Sequence, residues 1–291
     1  MRDFVPCLGH HAVRVAGSAC SGSSISSERP PQSTVSCCYR AALSTHNELL
    51  IKVTWYKNNR DTSVLVVIEE NPGSGVSDPR GTTCQLLMRK KGRQSFAIGN
   101  SESALHWDIS AATYGAGAEP TRAFYLVMMA DKVFVLLLGD MSREFINKFE
   151  DKVLVAASSM YSRREQVFGA TLYSTKAQFR DSGKDHEIMV RCKGDEADAK
   201  DAELYVCVDR KRLLHVKRVM WNFRGNQTIL VDGSAIDVLW DVHDWWFRGS
   251  PSGATFMFRA RSALASRPWS EEELAKGASQ FTLLIQAFKS K

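Results

Sequence analysis

Residues 225–247 read GNQTILVDGSAIDVLWDVHDWWF, and this stretch decides the fold. It reads as a β-hairpin carrying the densest aromatic and acidic cluster in the chain. It also has a counterpart 133 positions earlier, reached without a gap. Gly92, Gln94, Ser101, Trp107 and Asp108 fall on Gly225, Gln227, Ser234, Trp240 and Asp241. Apolar positions follow the same offset: Phe96 falls on Ile229, Ile98 on Val231, Leu105 on Val238 and Ile109 on Val242. The chain therefore reads as two tandem, related modules.

Outward from each hairpin the same order of strands recurs. Runs of five to eight β-branched and aromatic residues, bounded by turn residues, mark them. In the first module strands are predicted over 33–43, 49–56, 63–69, 83–89, 95–99, 104–109, 124–130 and 133–138. The last two are joined at Asp131-Lys132. Lys90-Lys91-Gly92 is read as a turn, 71–75 as a loop and 114–120 as a Gly-containing loop. In the second module strands are predicted over 171–179, 187–192, 204–208, 213–223, the hairpin, 254–259 and 281–288. Between the modules Phe145, Ile146, Phe149 and Val153 recur at helical spacing, with Ser142 as N-cap, so one helix is expected over 142–157. A second helix is expected over 268–276, with Glu271, Glu272 and Glu273 in its first turn.

The expected fold class is thus all-β: two antiparallel modules, each a sandwich or an up-and-down barrel, joined by a helix. The boundaries follow as 1–32 for a Ser-rich disordered tail, 33–140 for the first module, 141–167 for the linking helix and 168–291 for the second module. The tail has basic residues and few acids, which leaves organellar import as an alternative to a cytoplasmic or nuclear location.

Apolar content of 44% and charged content of 24% are those of an ordinary globular protein. A net charge of +6 permits anionic partners without requiring them. Seven cysteines without a CxxC pair argue against a zinc site. Adjacent Cys37 and Cys38 are expected on opposite faces of a strand. No apolar run is long enough for a transmembrane helix, and the N-terminal residues lack a secretory apolar core.

Chemistry concentrates in Trp240–Phe247, WDVHDWWF. In an extended chain Asp241, His243 and Trp245 share one face, and Trp240, Val242, Asp244 and Trp246 the other. Asp241, His243 and Asp244 are the candidate catalytic residues, since an Asp beside a His orients and polarises the imidazole. Alternation places Asp244 away from the other two, and His243 falls on Ser110 in the first module, so a hydrogen-bonded structural pair is the simpler expectation. Trp240, Trp245 and Trp246 are the candidate lining of a pocket for a small apolar ligand, while Trp107 and Trp240 are expected core anchors.

Three basic stretches stand out: 89–93, Arg163-Arg164, and Arg210-Lys211-Arg212 followed by Lys217-Arg218, with aromatic residues interleaved near the last. Basic residues with stackable rings suit phosphates or single strands, but the modest net charge favours solvated turns and makes nucleic acid an unlikely partner. GxGxxG, P-loop, GxSxG and HExxH motifs are absent from the sequence.

Val53-Thr54-Trp55, Lys57-Asn58, Lys90-Lys91-Gly92 with Ser95-Phe96, Trp107-Asp108, Phe124-Tyr125, LLLGD at 136–140, SRREQVFG at 162–169 and Val238–Phe247 together resemble a plant family known as domain of unknown function 868. The resemblance runs from about residue 33 to the C-terminus. It implies a plant source and supplies no catalytic residue. The expected function is a non-catalytic binding or interaction module, for a protein partner or a small apolar ligand, with no cofactor and no metal. The alternatives are an enzyme using the Asp/His group of Trp240–Phe247 and a weak electrostatic binder of nucleic acid or anionic lipid.

Overall fold

The computed structural model describes residues 12–14, 33–42, 48–58, 61–71, 83–88, 90–98, 101–149, 154–169, 172–180, 183–194, 201–248, 253–261 and 281–289. The chain divides into two compact units, 1–159 and 160–291. Both are all-β, with two five-residue helices among the described residues.

The first unit opens with β1 (Ala12–Arg14), β2 (Ser33–Ala42), β3 (Glu48–Lys57), β4 (Thr62–Asn71) and β5 (Thr83–Met88). These pair antiparallel in the order β1-β5-β4-β3-β2. Strict alternation turns Val35, Cys37, Tyr39 and Ala41 inward beside Trp55, Val53, Ile51 and Leu49, their cross-strand partners. Cys38 lies on the other face, as adjacency requires. The 12–14 strand corrects the expectation of a wholly unstructured tail, because these residues pair with Leu86–Met88.

A second sheet follows from β6 (Lys91–Ile98), β7 (Ser101–Asp108), β10 (Tyr125–Ala130), β11 (Val133–Leu138) and β12 (Leu154–Val155), with a short ribbon of β8 (Thr113–Tyr114) and β9 (Pro120–Arg122). Its order is β12-β11-β10-β7-β6. Lys91 and Gly92 belong to β6, so the turn expected at 90–92 contracts to Lys90, whose φ is 57°. Asp131 and Lys132 close β10 to β11 with φ of 48° and 64°, the left-handed pair that a two-residue hairpin needs. The Asp131 carboxylate accepts from Ser101 Oγ at 2.7 Å and from the Glu102 N–H at 3.1 Å, fastening that turn to β7. Trp55 meets Phe124 edge to face at 5.7 Å, which joins the two sheets across the core of this unit.

The linking helix is much shorter than its pattern suggests. Helix α1 spans only Ser142–Ile146, and residues 158–168 are a strand. The apolar spacing is explained by docking: Phe145 stacks on Tyr125 at 4.6 Å, and Phe149 meets Phe134 at 5.4 Å. These rings cover β10 and β11 of their own unit, and Phe149 does so from beyond the helix end.

In the second unit β14 (Leu172–Ala177), β15 (His186–Lys193), β16 (Glu203–Val208) and β17 (Lys211–Val216) form one antiparallel meander. The other sheet contains β18 (Arg224–Val231), β19 (Ser234–Asp241), β20 (Gly253–Ala260) and β21 (Thr282–Phe288), with β13 (Ser158–Phe168) parallel on β21. One continuous core joins both sheets, from Val190, Leu204 and Val206 to Val238, Phe258 and Ile285. The described strands thus form two sheets face to face, a sandwich.

Two polar clusters brace this unit. Glu165, 1% exposed, is bound by Arg163 Nε at 2.5 Å and by Thr175 Oγ1 at 2.6 Å. His186, also buried, places Nδ1 at 2.8 Å from Asp209 Oδ2 and Nε2 at 3.5 Å from Asp232 Oδ2. Asp209 and Asp232 sit in the left-handed turns of β16–β17 and β18–β19. His186 therefore ties a hairpin tip from each sheet at one end of the sandwich.

The strand expected over 213–223 stops at Val216. Arg218 enters the left-handed region at φ 51°, and its carbonyl accepts from the Trp221 and Asn222 N–H groups, so 217–223 is a tight turn. The expected helix at 268–276 and most of the 71–75 loop lie outside the described residues.

Candidate functional site

The hairpins β6–β7 and β18–β19 share one register. Lys91 faces Asp108 and Gly92 faces Trp107; Arg224 faces Asp241 and Gly225 faces Trp240. Each glycine leaves room for an indole to lie flat over the neighbouring strand. A Cβ on Gly92 would fall 2.5 Å from Trp107 Cζ2, and one on Gly225 would meet Trp240 in the same way. Each Asp also ends its strand identically. The Asp108 carboxylate accepts from the Ser110 N–H at 3.1 Å and from Lys91 Nζ at 3.0 Å. Asp241 accepts from the His243 N–H at 3.1 Å and from Arg224 Nε at 2.7 Å.

This Asp-to-backbone bond turns the chain out of the extended form. The expectation of a continuous strand through Phe247 is therefore corrected: β19 ends at Asp241 and helix α2 spans His243–Phe247. The two-face assignment of Trp240–Trp246 fails with it. Asp244, expected away from His243, is instead its partner, with His243 Nδ1 2.9 Å from Asp244 Oδ1. Arg248 Nε lies 3.3 Å from the same oxygen. The His243 hydrogen bond, reinforced by the Arg248 charge, holds the Asp244 carboxyl below its ordinary range. His243 is packed among rings, 5.2 Å from Phe223 and 5.1 Å from Phe247.

Asp241, His243 and Asp244 thus do converge, but on a solvent-facing turn where both carboxylates are 43% exposed. No hydroxyl or thiol bonds the His243 ring among the described residues, and no group of three His, Cys, Asp or Glu side chains there has metal-binding geometry. Among the described residues the arrangement orients an imidazole with no side-chain hydroxyl or thiol bonded to it.

The three tryptophans go to three different places. Trp240 covers Gly225 and donates its indole N–H to the Asn222 carbonyl at 3.0 Å. Trp246 is half-buried with its indole nitrogen enclosed. Trp245 alone lines a cavity, with Tyr173, Val190 and Cys192 on one side and Phe256 and Ile285 among those on the other. The part of that cavity a water's centre can occupy is about 20 Å³. That is room for a water or two rather than a drug-sized ligand. Burial pushes the Cys192 thiol up to about 12, so it is protonated and unreactive at neutral pH.

Four residues of the basic stretches are committed. Lys91 pairs with Asp108, Arg163 with Glu165, and Arg164 Nε donates to Gln286 Oε1 at 3.0 Å. The Arg212 guanidinium lies 5.4 Å from the Tyr205 ring centre.

The turn at 217–223 is the feature that sequence reasoning missed. Trp221 is 80% exposed and Phe247 is 48% exposed. Phe223 joins the second to this end of the unit, 5.8 Å from Phe247, with the Arg224 guanidinium 5.7 Å from the Phe223 ring. Lys217, Arg218 and Arg248 are exposed around them. Basic and aromatic interleaving was visible in the sequence; the strand assigned over it predicted a buried face instead.

A family model described as plant protein of unknown function (DUF868) matches residues 30–289. No curated protein and no solved structure matches the chain.

Proposed function

We propose that this chain, which belongs to the plant DUF868 family, acts as a non-catalytic binding module. The supporting observation is the contrast at one end of the second unit. The Asp241, His243 and Asp244 side chains are engaged by Arg224, Arg248 and each other, whereas Trp221 and Phe247 stand in water. Tryptophan and other large rings are enriched at binding surfaces, where they supply much of the affinity. The shared register, Gly–Trp seat and Asp turn of the two hairpins support reading the units as related copies of one module.

The test is native mass spectrometry of the protein from plant cells beside its denatured mass. A binding module gives a discrete heavier species that dissociates on denaturation and survives His243→Ala. A bare polypeptide throughout refutes the reading. One observation favours a second reading, an Asp/His enzyme: the 2.9 Å contact between His243 and Asp244. That reading requires His243→Ala to abolish the protein's effect while leaving its complexes intact.

A further inference from the structure

Strand β18 (Arg224–Val231) ends its sheet: among the described strands it pairs with β19 alone. Its pairing parity is fixed by the Val242 N–H, which bonds the Phe223 carbonyl. In that register Gly225, Gln227, Ile229 and Val231 exchange bonds with β19, and the backbone groups of Arg224, Asn226, Thr228 and Leu230 point to the open edge. Five of its eight residues are exposed, and Leu230 is 70% exposed. A row of open N–H and C=O groups is a template for another strand, and proteins blunt such edges with charge, proline, bulges or short length. The other described edge strands are blunted. Exposed Lys91 and Arg93 stand on β6, Lys176 on β14, and Lys211 and Arg212 on β17. Strands β1, β8, β9 and β12 are two or three residues long. β18 is built differently. Residues 225–231 hold no charge and no proline, and its eight register pairs run without a bulge.

The open backbone groups call for another strand, and β18 is complementary to itself. It begins at basic Arg224 and runs into acidic Asp232. Two copies laid antiparallel about a two-fold axis through Thr228 place Arg224 opposite Asp232 at both ends and Asn226 opposite Leu230, with no like charges facing. In this register the outward backbone groups of each strand meet those of the other. A parallel, in-register pairing would set Arg224 beside Arg224 and Asp232 beside Asp232. A free peptide would also have to be ordered on binding, whereas β18 is already held extended by β19. Arg224 lies 2.7 Å from Asp241, and Asp232 lies 3.4 Å from Lys184 and 3.5 Å from buried His186, so both charges are partly balanced within their own copy. Their attraction across the axis sets direction more than strength. We infer that β18 is a self-pairing edge, through which two copies of the chain join into one continuous antiparallel sheet. The inference is independent of the binding-module reading.

Sedimentation velocity of the full chain across a concentration series tests it. A monomer–dimer equilibrium is expected. Leu230→Lys puts a charge on the edge, and Asn226→Pro removes an outward N–H while leaving the β19 ladder its bonds. Each change counts twice in a two-fold contact, so each is expected to raise the dimer Kd by roughly tenfold or more. Lys211→Glu on the β17 edge should leave it unchanged. At concentrations where the parent is monomeric, the Leu230→Lys melting curve should match it, because that side chain is exposed. Thr228→Cys should join two chains through a short bismaleimide, above the level given by the parent's own cysteines. Leu230→Cys, displaced along the pair from its mate, should not.

Three results overturn the inference. They are a chain that stays monomeric at every concentration up to its solubility, a dimer that Leu230→Lys and Asn226→Pro leave intact, and crosslinks from Thr228→Cys to a different polypeptide in place of a second copy. In native mass spectrometry a species of twice the chain mass reports this contact, and any other added mass reports a ligand or another partner. Absence of the doubled mass sinks the self-pairing alone. The binding-module reading falls only if no other mass is added.

Discussion

Substituting Gly92 by alanine tests the packing that the two hairpins share. The new methyl would lie 2.5 Å from Trp107 Cζ2 and 2.9 Å from Cη2, closer than carbon atoms pack. Trp107 has no exposed surface and faces Leu126 on its other side in the sheet, so the ring has nowhere to swing. Overpacking of this kind costs about 1–3 kcal/mol. Alanine recovers about 0.4–1 kcal/mol of that by restricting the unfolded chain. A net loss of about 1–2 kcal/mol remains, a fall in Tm of roughly 3–6 °C. Gly225→Ala should cost less. Trp240 is only partly buried against the core and can yield outward, giving up part of that packing and its 3.0 Å bond to Asn222, the bond worth about 1 kcal/mol. Thermal melts give the size of each effect, and hydrogen exchange over 91–108 and 224–241 assigns it to a hairpin. In a Trp107→Leu background Gly92→Ala should turn neutral or stabilising, because the clash has been removed. The reasoning is refuted if Gly92→Ala is harmless in the parent, or equally harmful with Trp107 gone.

Two further outcomes follow from buried polar groups. Burial, followed by the Arg93 charge, pushes the His106 imidazole down to about 4 from its ordinary 6.5. It lies 5.2 Å from Phe145, one strand over from Arg93. The folded state stays neutral where the unfolded chain takes up a proton, so stability is full above about pH 6.5 and declines as pH falls toward 4. His106→Gln should flatten that slope in urea titrations; an unchanged slope assigns it elsewhere. Arg163→Met leaves the enclosed Glu165 carboxylate without its 2.5 Å partner and should cost about 3–5 kcal/mol. Adding Glu165→Leu should restore much of that loss in denaturant melts, and a double variant no better than the single one would contradict the pairing.

The sequence by itself determined the strands and their sidedness. In β2 and in β3 from Ile51 to Trp55 the alternation of apolar with polar residues is a local property, set by the two-residue period of the extended backbone, whereas Val64–Ile68 of β4 is apolar throughout and shows no such pattern. The shared Gly–Trp and Asp positions of the two hairpins were likewise legible, because a glycine opposite a tryptophan is a fixed offset along paired strands. Where strands end was decided by tertiary structure. Asp241 stops β19 because its carboxylate is drawn both to the His243 N–H and to Arg224, and that choice rotates Asp244 onto His243. Helical spacing after Ser142 belonged to rings that dock on β10 and β11, so it did not require a long helix. The exposure of Trp221 was likewise beyond any periodicity, since it depends on Val219 and Trp240 anchoring the turn to strands from elsewhere in the chain. Period reports which face of a strand is apolar; only contacts between distant residues decide which ring is left in water.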